Sequence, residues 1–193
     1  MKRLTHVLLA GVLLIFMISS CSQKSEYDKL VERELASNVK QDSLFFGISF
    51  EMNRKDFYAH CWELNKSGFF TNGVGNMSIQ KKLDSALKFP ATMNFYPRFE
   101  NDKIFQMPVD FQYLDWALWN PDMSNDVLLA DVKDMLEEWY GGQPFIKVVN
   151  KDGTKSVWVK VDGNRRIRIF KESVSTIRAE FTDLLDLEKF KNS

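Results

Sequence analysis

Nucleophilic chemistry in this chain would have to run through His60 and Cys61, which stand next to each other in a segment of helical pattern. Neighbours on a helix point about 100° apart, so the two do not face each other as a nucleophile and its base must. Cys61 also shares a stripe with Phe57 and Leu64. The pattern therefore predicts a core cysteine beside a surface histidine. A serine nucleophile would need His60 too, and no Gly-x-Ser-x-Gly elbow is present. Gly73-Val74-Gly75-Asn76 is short for a phosphate-binding loop and lacks its lysine, so it reads as a plain loop. Asp110, Asp115 and Glu63 are carboxylates that could cleave a glycosidic bond, but nothing in their spacing sets two at the required separation. Asp122 to Asp126 and Asp162-Gly163-Asn164 lack the regular oxygen spacing of a calcium loop. They read as a helix cap and a turn. One histidine and one cysteine after residue 21 do not build the usual zinc sites. The expectation is no catalytic residue, no metal and no cofactor.

Two groups suit binding better than catalysis. Tyr113, Trp116 and Trp119 concentrate aromatic area between the best strand and a capped helix. Exposed aromatics mark partner surfaces and stack on sugars, while the competing reading plugs one end of the core with them. Arg166 and Arg168, with Arg165 beside them, alternate along a strand, and Lys160 is a candidate to stand opposite. They form either an anion-binding row or a solvated face that keeps the sheet soluble.

The start of the chain answers a different question. Lys2 and Arg3 precede twelve uncharged residues, Val7 to Ile18, too few to span a bilayer. A basic flank, a short apolar run and small residues after it make a secretory signal segment over residues 1–20. Ile18-Ser19-Ser20-Cys21 resembles the lipobox of bacterial lipoproteins. The resemblance implies that Cys21 carries a diacylglycerol, becomes the first residue of the mature protein and is itself acylated. Ser22 stands where that family's retention signal has aspartate, which implies the outer membrane. Two or three acyl chains anchor durably where one holds only marginally. The remainder has 24 basic and 26 acidic side chains, a net charge near −2. No basic excess points to nucleic acid or to anionic headgroups. With Cys21 lipidated, Cys61 has no disulfide partner in the chain.

Residues 22–43 are polar and read as a tether, about 75 Å if fully extended. Tyr27, Leu30, Val31 and Leu35 allow a weak helix within it. A single domain is expected over residues 44–193. An Asn53-capped helix runs from Arg54 to Lys66 and stops at Gly68. A second runs from Asp126 to Tyr140 and stops at Gly141-Gly142. Strands are expected at 76–83, 92–99, 103–113, 145–149, 155–161, 165–170 and 175–182, with turns at Asn101-Asp102 and Asp162-Gly163. In 103–113, Phe105, Met107, Val109, Phe111 and Tyr113 alternate with Gln106, Pro108, Asp110 and Gln112. Pro108 predicts an edge strand or a break there.

The expected class is α+β: an antiparallel sheet with two main helices on one face, in an order of helix then strands that occurs twice. That architecture is similar to small envelope lipoproteins of the outer-membrane-assembly type and to β-lactamase-inhibitor-like domains, with no motif of either to carry over. The expected function is a non-enzymatic, lipid-anchored module that binds an envelope protein at the outer membrane. The alternative is a lipoprotein that binds or hydrolyses glycan or peptidoglycan through the aromatic segment and carboxylates.

Overall fold

The computed structural model describes residues 24–73, 75, 77–150 and 152–191. The expected signal segment and Cys21 lie outside the described residues, as do Val74 and Asn76 of the glycine loop. Among the described residues four α-helices, Glu26–Ala36 (α1), Arg54–Lys66 (α2), Asn125–Tyr140 (α3) and Leu184–Lys191 (α4), accompany one antiparallel sheet. Its strands are Thr71–Asn72 (β1), Ile79–Leu83 (β2), Ala91–Phe95 (β3), Arg98–Glu100 (β4), Lys103–Tyr113 (β5), Ile146–Val149 (β6), Ser156–Asp162 (β7), Arg165–Lys171 (β8) and Ile177–Asp183 (β9). The class is α+β, with α2 and α3 packed over one face.

The strand order is β1-β2-β3-β5-β9-β8-β7-β6, with β4 also on β5. Each half is thus a helix followed by a meander, and the two meanders meet through their last strands, β5 against β9. Met107, Val109 and Phe111 stand opposite Phe181, Ala179 and Ile177, and all six are fully buried. From the helix side, Phe57 and Cys61 of α2 and Leu128, Val132 and Leu136 of α3 close over them. Helix starts follow their caps: the Asn53 side chain accepts from the Asp56 amide at 2.8 Å.

Pro108 does not place β5 at an edge. The strand is central, and the interruption falls in its neighbour. β3 ends at Phe95 opposite Val109, β4 begins at Arg98 opposite Gln106, and Tyr96-Pro97 intervene. The expected strand 92–99 is split there, while β9 keeps β5 continuous by pairing Glu180 with Pro108. Phe105 is only half-buried, because the β4–β5 register shifts and Ile104 takes the core position.

The second difference is the segment expected to be a tether. Ser25 caps α1 through a reciprocal bond with Asp28. The helix lies on the outer face of the sheet, away from α2 and α3, where Leu30 packs with Val159, Val161 and Leu184, flanked by Tyr27, Val31 and Leu35. Arg166 Nη1 donates to Tyr27 Oη at 2.9 Å, and Asn164 Oδ1 accepts from the Gln41 amide at 2.6 Å. Gly163, with φ of 56°, lets the β7–β8 turn approach residue 39 so closely that a Cβ would stand 2.1 Å from the Val39 carbonyl oxygen. Residues 24–43 therefore belong to the folded domain.

Candidate interaction face

α1 covers only the β6–β8 part of the outer face. Across β2, β3, β5 and β9 the outward positions of the pleat are mostly polar, and several of these side chains are bonded in pairs across neighbouring strands. Gln80 Nε2 donates to Asn94 Oδ1 at 3.0 Å, and Asn94 Nδ2 to Thr92 Oγ1 at 3.3 Å. Arg178 forks onto both oxygens of Asp110 at 2.7 and 2.9 Å and reaches Glu172 at 2.8 Å. Arg98 donates to Gln106 Oε1 at 2.8 Å, and Arg168 pairs with Glu180. A shallow groove of about 390 Å³ runs over this face, with Tyr96, Arg98, Pro108 and Arg178 among its walls. Cross-strand pairing restrains these side chains. The Arg178–Asp110 pair stays partly exposed, so solvent screens it and its worth to stability is small.

The residues expected to bind fall in different places. Arg166 and Arg168 share this face as expected, at the border with α1. Their Nε atoms are buried and unpartnered among the described residues. Lys160 does not join them. It pairs with Ile167, points to the helix side and is 1 % exposed. There its ammonium donates to the carbonyls of Gly141 and Gln143 at the end of α3 and lies 3.2 Å from Asp162. Arg165 is on the same side, bonded to the Ser43 carbonyl at 2.6 Å and stacked over Tyr140.

The aromatic segment also divides. Tyr113 is a core residue whose hydroxyl donates to Asp131 at 2.5 Å. Trp116 is half-buried against the core, whereas Trp119 is 86 % exposed beside an exposed Leu118. Sequence pattern missed the polar ladder, whose members look like ordinary surface residues one at a time. The alternation in β5 held the only signal for it.

The chemical alternatives find no assembled centre among these residues. Burial pushes the Cys61 thiol up to about 12. His60 turns away from it, its Nε2 bonded to the Phe46 carbonyl at 2.8 Å. Asp110 is held by Arg178 on the outer face, while Glu63 lies on α2 across the sheet and Asp115 in the loop after β5. Asp122 sits in a 3₁₀ turn capped by Asn120, and Asp126 pairs with Lys171 at 2.6 Å. Comparison with family models, with curated proteins and with solved structures finds no match to this chain.

Proposed function

We propose that the protein is a non-enzymatic, lipid-anchored cell-envelope module whose uncovered sheet face binds another envelope protein at the outer membrane. The observation that carries the reading is the set of cross-strand polar pairs between Gln80 and Glu180, on the part of the outer face that α1 does not cover, opposite the face that packs the main core. Anchoring rests on the lipobox and Cys21. Ser25 already caps a docked helix, so four residue steps separate it from Cys21. Fully extended, these span roughly 14 Å. The short span favours a partner at the membrane surface, since the domain is too closely held to search far from it. A photocross-linker at Arg98 in intact cells tests this. A single envelope-protein adduct is expected, and it should weaken when Cys21→Ala removes the anchor.

The glycan alternative is supported by Trp119, exposed enough to stack on a sugar face. It predicts saturable glycan binding that Trp119→Ala abolishes without loss of melting temperature. Glycan binding that survives this substitution would remove Trp119 from the account.

A further inference from the structure

The sheet ends at β6, a four-residue edge strand without proline or bulge. The amide of Asn150 donates to the Lys155 carbonyl at 3.0 Å just beyond the strand, so 150 and 155 form a hydrogen-bonded pair. Antiparallel ladders alternate. Val148 opposite Val157 and Ile146 opposite Val159 are therefore bonded pairs too, and the backbone N–H and C=O groups of Lys147 and Val149 point to the open edge. Natural sheets guard such an edge or use it.

The surroundings are basic. A groove of about 1100 Å³ beside β6 is lined by Lys133, Lys147, Lys155, Arg168 and Lys171 against Asp126 and Glu172. Lys133, Arg168 and Lys171 have acidic partners. Lys147 and Lys155 have no ion pair among the described residues. Trp158, opposite Lys147, has the ammonium groups of Lys133 and Lys147 about 6 Å from its ring.

From this edge and its charge we infer that β6 is a docking site for an extended, acidic segment of the partner protein. The segment adds as a further antiparallel or parallel strand: its backbone pairs with Lys147 and Val149, its carboxylates on the helix side meet Lys147, and Lys155 adds positive charge to the same groove. The inference deepens the interaction reading and rests on it, but uses a different surface.

The test uses the full chain in detergent and a blocked octapeptide of alternating glutamate and threonine. Saturable binding is expected, with slowed amide exchange at Lys147 and Val149 and weakening as salt rises. Val149→Pro removes an outward donor without costing the β6–β7 ladder a bond. It should lower affinity at least tenfold with little change in melting temperature, and K147E/K155E should do the same. Equal binding of a lysine–threonine peptide, or undiminished binding to either variant, would overturn the inference. So would protection of the same amides by self-association without peptide, which would make the edge an interface between copies. An adduct at Arg98 with no binding at β6 would remove this inference alone and leave the interaction reading standing.

Discussion

Cys61 shows how burial settles a residue's chemistry. The residue is 7 % exposed, and desolvation of the thiolate pushes the thiol up to about 12 from the ordinary 9.0. The folded state therefore keeps a proton that the unfolded state releases above about pH 9. Stability contributed by this group is complete below that pH and falls as pH rises towards 12. Native protein at pH 8 should react with a thiol reagent far more slowly than urea-unfolded protein, and Cys61→Ser should flatten the alkaline fall of an equilibrium unfolding curve. Rapid native reaction would contradict the packing. Lys160 makes the complementary case. Among the described residues it alone brings a cation to the carbonyls of Gly141 and Gln143, and its buried ammonium pairs with the partly buried Asp162. Lys160→Ala strands these acceptors and should cost about 3–5 kcal/mol in urea unfolding. The sequence signal for Lys160 was ambiguous. β7 is apolar on the side facing α1, with Val157, Val159 and Val161, while Trp158, Lys160 and Asp162 face the other way. Both sides are covered, so neither polarity pattern reveals which one is the main core.

At the scale of elements, α1 changes what the N-terminal segment is for. Its apolar stripe is narrow, and among so many charges it resembles a solvated helix, so the pattern predicted the helix and not its docking. Docking depends on contacts distant in sequence: Leu30 on Val159 and Val161, Tyr27 under Arg166, and residue 39 against Gly163. Leu30→Ala should destabilise the protein by about 2–3 kcal/mol and raise proteolysis within residues 24–43. No loss of stability would mean that α1 is only loosely attached. α2, α3 and β5 were legible because each has a strong period of its own, with caps or glycines to bound it. Pro108 misled because the rule concerns the ladder around a proline, and here the neighbouring strand supplies the gap.

For the whole molecule, two meanders joined at β5 and β9 make a sheet with one face packing the main core and the other divided between α1 and cross-strand polar pairs. The repeated order of helix and strands was visible in the sequence. The sheet that unites both halves was not, because its central pairing links residues about 70 positions apart, as Asp110 and Arg178 do. Arg166 and Arg168 were placed on a shared face by alternation alone, yet the ladder beside them needs four strands in register. The proposal of a membrane-held interaction module is tested most directly by photocross-linking from Arg98 in intact cells, with the lipidated chain and its Cys21→Ala variant side by side. One envelope-protein adduct is expected from the open face, strong with the native chain and greatly reduced with the variant. No adduct from that face, or equal adducts from both chains, would contradict it.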